Sequence, residues 1–277
     1  MMSARPVNDS VEYETSTDGA RATIWLNRPE SRNAYHMDML RGIERAIQRA
    51  DNDPDVRVII FRGRGDSFCV GGDPDMLGDH GDWQTLSATS SRFFHALEGT
   101  RKVTVAAVHG WVVGGGFEFM LACDFAVAAD DARIGDFHIR NGLYPGGGST
   151  YRLARLIGVR RAKEHILSGQ LWSGVEATEA GVVNAHCPPV ELGPTVVEYC
   201  AKFVDKSPTM LMFGKLAVNR GLTSDLDSMI LLDQIVSRVA GEGRDAREGL
   251  EARQARRSPK WEPLPPSVSL IQEQGEE

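Results

Sequence analysis

Three glycine clusters punctuate the chain: Gly63, Gly65, Gly71 and Gly72; Gly110 with Gly114 to Gly116; and Gly142 with Gly146 to Gly148. The first two follow apolar runs of strand length, Val56 to Phe61 and Val103 to Val108. The second and third lead into helical spacings, Phe117 to Ala122 and Ser149 to Ile157. A strand that ends in a loop needing residues without a β-carbon, then resumes as a helix, is the alternation of an α/β fold. Any one cluster taken alone also fits a tight turn, so the information lies in their order.

The rest of the chain fits around that alternation. Val11 to Glu14 and Ala22 to Leu26 alternate in polarity about Asp18-Gly19, which predicts an opening β-hairpin. Met37, Leu40, Ile43 and Ile47 predict a helix over Met37 to Ala50, ended before Pro54. Trp83 to Leu97 reads as helix and Phe125 to Ala128 as a short strand, while Gly158 and Gly169 stop helices at Ser149 to Ile157 and Val159 to Leu167. After Val182-Val183 the spacing is helical only, over Glu191 to Asp205, Thr209 to Asn219, Asp225 to Ala240 and Asp245 to Arg256. The expected organisation is a core over 1–190 that holds the site, a helical oligomerisation region over 191–261 and a mobile, proline-rich then acidic tail over 262–277.

Composition removes several classes of function. The 277 residues are 42% hydrophobic, enough for a sizeable core, and their net charge of −7 gives no basic footprint for nucleic acid. Cys69, Cys123, Cys187 and Cys200 stand at wide, irregular spacings, which suits a reducing compartment rather than a disulfide framework or a zinc site. The seven histidines form no HxH or HExxH pair, so no catalytic metal is expected. The N-terminus carries no targeting pattern, and the longest apolar stretch, Val103 to Met120, is broken by His109, four glycines and Glu118. The expectation is a cytoplasmic protein without a membrane partner. Gly114 to Phe119 lacks the last glycine of a GxGxxG loop, and Ser149 lacks the second glycine of a GxSxG elbow, which disfavours nucleotide and serine-hydrolase readings.

The ordered set Ser67-Phe68-Cys69-Val70-Gly71-Gly72-Asp73, then His109-Gly110-Trp111-Val112-Val113-Gly114-Gly115-Gly116-Phe117-Glu118, then Cys123-Asp124 resembles the enoyl-CoA hydratase/isomerase (crotonase) superfamily. The resemblance extends to Leu26 to Pro29 with Asn33-Ala34, Arg152 to Gly158, Ala177 to Val183 and Asp245 to Gly249, and so covers nearly the whole chain from Val11 to Trp261. It implies an α/β fold built as a crotonase-like spiral of ββα units with a C-terminal α-helical trimerisation region, assembled as a homotrimer or homohexamer. It implies an oxyanion hole from the backbone N–H groups of Val70 and Gly115. It also implies substrate contacts at Ala34, Gly71 and Asp73. The chemistry agrees: a glycine loop that opens a helix leaves unpaired N–H groups and the positive end of the helix dipole facing a site, where an enolate would be held.

Glu118 falls at the family's first acid/base position. The second lies fourteen residues after Asp124, where hydratases carry glutamate and this chain carries His138. Imidazole donates or accepts near neutral pH, so it replaces the carboxylate while changing the charge of the site. Glu30 stands where many members have lysine, which leaves Arg28, Arg32 and Lys260 to meet coenzyme A phosphates, and Trp111 and Tyr144, with Trp83, to line an acyl pocket. The resemblance thus implies an enoyl-CoA hydratase-like lyase with an altered Glu/His pair, acting on an acyl-CoA thioester without a catalytic cofactor. A retro-Claisen hydrolase of β-diketones, an acyl-CoA isomerase or decarboxylase, and a silent acyl-CoA- or RNA-binding protein stay open. Aryl dehalogenation is disfavoured, because Pro145 occupies the place of the aspartate nucleophile it needs.

Overall fold

A computed structural model describes residues 4–77 and 83–265. The predicted hairpin is present as β2 (Val11–Thr15) and β3 (Arg21–Leu26), preceded by a further strand, β1 (Arg5–Asn8), that pairs antiparallel with β2. Arg5-Pro6-Val7-Asn8 has no apolar alternation, so only its pairing marks it as a strand. Then follow α1 (Met37–Asn52), β4 (Val58–Gly63), α2 (Trp83–Gly99), β5 (Val103–Val108), β6 (Trp111–Val113), α3 (Gly115–Ala122), β7 (Phe125–Ala129), β8 (Arg133–Gly135), α4 (Ser149–Ile157), α5 (Val159–Ser168) and α6 (Gly174–Glu179). The expectation of helix alone beyond Val183 is corrected by β9 (Ala185–Cys187), which pairs parallel with β7. Three residues are too few to show a period of two. The chain ends in α7 (Leu192–Val204), α8 (Pro208–Gly221), α9 (Leu226–Gly241) and α10 (Arg244–Gln254).

Seven strands form one sheet in the order β1-β2-β3-β4-β5-β7-β9, parallel from β3 onward, and β6 pairs with β8 beside it. Strands β4 and β5 are apolar in succession because both of their faces are covered. On one face, Ile59, Phe61, Ala106 and Val108 meet Met39, Leu40 and Ile43 of α1, Phe93 and Phe94 of α2, and Phe117 and Phe119 of α3. On the other, Val58, Ile60, Val103, Val105 and Val127 meet Leu192, Val196, Tyr199 and Cys200 of α7. The ring of Phe119 is 5.0 Å from Phe61, 5.1 Å from Phe93 and 5.6 Å from Phe68, so α3 is anchored by aromatic packing.

Polar residues then fix the connections. Asp124 Oδ2 accepts from the Thr104 N–H (2.8 Å) and hydroxyl (3.0 Å) and pairs with Lys215 of α8 at 2.8 Å, which joins β5, β7 and the helical end. Beyond α8 the packing thins. Helix α9 contacts α8 and α10 and buries none of its own residues, leaving Ile230, Leu231, Ile235 and Val239 about half exposed. Among the described residues no helix is long and apolar enough to cross a membrane. Of the tail expected over 262–277, residues 266–277 lie outside the described residues.

Candidate active site

The site forms where the loop after β4 meets the start of α3. Cys69 bridges to Val112 of β6, and a β-carbon on Gly71 (φ 100°) would lie 2.7 Å from the Gly115 nitrogen, so the two segments touch as only glycine permits. The loop is clamped from below. Tyr35 donates its N–H to Gly71 O (2.8 Å) and accepts from Asp73 N–H (2.9 Å), and buried Asn33 reaches the carbonyls of Arg64 and Ser67. Among the described residues neither the Val70 nor the Gly115 N–H donates to a protein acceptor. Gly115 is the first residue of α3, so its N–H also stands at the positive end of the helix.

Glu118 follows one turn later, 2% exposed in a helix whose other residues are apolar or glycine. Its Oε1 accepts from the Ser149 N–H at the start of α4 (3.2 Å), and its Oε2 lies 4.0 Å from His138 Nε2. Burial is the largest influence on Glu118 and raises its pKa above the ordinary carboxylate value, against the pull of His138 and two backbone N–H groups. His138 is half-buried, and burial disfavours its charge. The hydrogen bond to Asp136, with the charges of Glu118 and Asp136, outweighs that effect and leaves its pKa raised. Glu118 and His138 are thus brought together from α3 and from the turn after β8, twenty residues apart in sequence.

Sequence reasoning missed Asp136 and Ser149. Asp136, fully buried, has its Oδ1 2.9 Å from His138 Nδ1 and 3.2 Å from the His138 N–H, and its Oδ2 accepts from the Ser149 hydroxyl. Burial pushes its pKa up, but bonds from His138 and Ser149 prevail and hold it below the usual value. The i,i+2 spacing of Asp136 and His138 was the available signal. It becomes a contact only because Phe137 between them adopts φ 63°, left-handed for a residue with a side chain.

The remaining expected residues are placed as follows. Arg28 Nη1 bonds Asp73 Oδ2 and Ala34 O, each at 2.6 Å, so these three fasten the Val70-Gly71 loop. Trp111, half-buried, lies edge-on to Phe137 at 6.4 Å and under the guanidinium groups of Arg133 (4.7 Å) and exposed Arg32 (5.8 Å). It borders an open cleft of about 410 Å³ with Arg133 and Trp172, one that includes neither Glu118 nor His138. Tyr144 is 78% exposed, so in the single chain its ring closes no pocket. Lys260 stands beyond α10, where its N–H donates to Glu248 (2.6 Å). The side chain of Trp83 is outside the described residues. Among the described residues no group of three or more His, Cys, Asp or Glu is arranged to hold a metal ion.

Comparison with known proteins assigns the chain to a family. The family model for enoyl-CoA hydratase/isomerase matches residues 17–263. A crotonyl-CoA hydratase of Syntrophomonas wolfei is 33% identical over 240 residues, 83% of this chain and 90% of its own length. A short-chain-enoyl-CoA hydratase of Clostridium acetobutylicum is 33% identical over 219 residues, 78% of this chain and 84% of that one. The crystal structure of an enoyl-CoA hydratase from Bacillus anthracis superposes with a TM-score of 0.86 at 29% identity, over 91% of this chain and 99% of that chain. The chain has the crotonase fold and belongs to the enoyl-CoA hydratase/isomerase family.

Proposed function

We propose that this family member adds water across the double bond of an α,β-unsaturated acyl-CoA, with His138 and Glu118 dividing the proton transfers. The observation that carries this reading is the 4.0 Å separation of His138 Nε2 and Glu118 Oε2 beside two undonated amides. One water reaches both groups at ordinary hydrogen-bond lengths of about 2.8 Å. As its oxygen bonds to C3 of the substrate, its proton passes to Nε2 and the double-bond electrons move onto the thioester oxygen. The N–H groups of Val70 and Gly115 hold that enolate oxygen, a contribution of roughly 3 to 4 kcal/mol per donor in studied oxyanion holes. Glu118, prepared by burial to carry a proton, delivers it to C2 and regains it from His138. Of the three cations expected to meet coenzyme A phosphates, Arg32 and Lys260 are exposed, whereas Arg28 is engaged by Asp73.

A second reading, water-driven cleavage of a β-diketone, draws support from the same Asp136–His138 contact, because an imidazole held by a carboxylate is a competent base toward water. The discriminating experiment incubates the purified protein with enoyl-CoA thioesters of several chain lengths and with cyclic β-diketones, following products by mass spectrometry. Gain of one water by an enoyl-CoA supports hydration. Ring cleavage of a diketone with no hydration at any chain length overturns it.

A further inference from the structure

We propose that Asp136 is a positioning residue that holds His138 in the tautomer with the proton on Nδ1, so that Nε2 presents its lone pair toward Glu118. This rests on the reading of His138 as the group that takes a proton from water. A carboxylate accepts and does not donate, so the 2.9 Å contact with Asp136 Oδ1 requires hydrogen on Nδ1. The rest of the environment makes that assignment stable. Asp136 is fully buried, each oxygen is used, and the His138 N–H shares Oδ1 with the ring, which locks residue and side chain to one acceptor. Phe137 is left-handed, which is strained for a residue with a side chain, and the turn it makes is what brings Asp136 under the ring.

Ser149 extends the device to the other half of the pair. Its hydroxyl donates to Asp136 Oδ2 while its N–H donates to Glu118 Oε1, so one residue at the start of α4 sets the orientation of both carboxylates. The charged groups acting on the ring are Glu118 and Asp136. From α5, His165 also faces Asp136, but burial holds it uncharged, with a pKa pushed down to about 4. When Nε2 takes a proton, the imidazolium is held by the Asp136 carboxylate, and by that of Glu118 once Glu118 has given its proton to C2, in a poorly solvated site where their attraction is strong.

The test reads the ring directly. Nitrogen-15 NMR of histidine-labelled protein, with His138 assigned by the loss of its signals in His138→Ala, should show the neutral ring protonated at Nδ1. A neutral ring protonated at Nε2 overturns the proposal. This needs no substrate, so it stands or falls separately from hydration, and it needs no Asp136 variant to fold. In Asp136→Asn the side-chain amide can donate to Nδ1, so the proton should move to Nε2, kcat should fall about 100-fold or more with KM nearly unchanged, and the ionisation of His138 in the pH profile should move down by about one unit or more. A folded Asp136→Asn protein with the same tautomer and the same pH profile overturns the role.

Discussion

Glu118 is the only ionisable group in α3, so the whole chemical character of that helix rests on one carboxyl. Glu118→Gln keeps its size and its contact with the Ser149 N–H, and should lower turnover by roughly 100-fold or more while circular dichroism is unchanged. Retention of turnover would remove Glu118 from the mechanism. Because Glu118 and His138 face each other, they titrate as a pair, and the active form is the one that shares a single proton between them. Both pKa values are raised, so the profile of kcat/KM should be bell-shaped. The alkaline limb is loss of that shared proton, held above the free histidine value of about 6.5 by Asp136 and Glu118, and it should vanish in His138→Ala. Gly115→Ala would place a methyl 2.0 Å from the Tyr35 hydroxyl oxygen, and should abolish turnover and lower stability by about 1–3 kcal/mol in thermal unfolding. Glu118, His138 and Gly115 were legible because they occupy fixed offsets within backbone motifs. Asp136 was not, since its role depends on the left-handed Phe137, a conformation no residue type announces.

At the scale of elements, α5 carries an unusual load. His165 is fully buried, stacks on Trp172 at 3.4 Å, and among the described residues has no hydrogen-bond partner on either ring nitrogen. Burial pushes its pKa down to about 4. The unfolded chain therefore binds this proton below about pH 6.5 while the folded chain refuses it until about pH 4, so stability is full above that window and is lost as pH falls through it. The loss amounts to about 3 kcal/mol. His165→Leu should move the acid-unfolding midpoint to lower pH, and an unmoved midpoint would show that other groups set it. The long elements, α1 and α7 to α10, matched their predicted positions within a few residues because three or more turns show their period. Strands β6, β8 and β9 hold three residues each and owe their existence to partners distant in sequence, which local pattern does not encode.

The whole molecule has a solvent-facing helix that reads as an interior one. Helix α9 carries Ile230, Leu231, Ile235 and Val239 at 47% to 57% exposure and buries nothing, a poor arrangement for an isolated chain in water. The expected outcome is a trimer or hexamer in light scattering at micromolar concentration, and Ile235→Glu should shift the population toward monomer. A monomer in the unaltered protein would refute the assembly. The sequence carried this expectation through the family resemblance, but not which chain meets which, because a residue pattern holds no symmetry operator. If α9 is covered only by other copies, part of the free energy that keeps each chain folded scales with the logarithm of protein concentration. The melting temperature should then climb on concentrating the sample and sag on dilution, so an assay run at nanomolar enzyme would measure a less durable molecule than a calorimeter does.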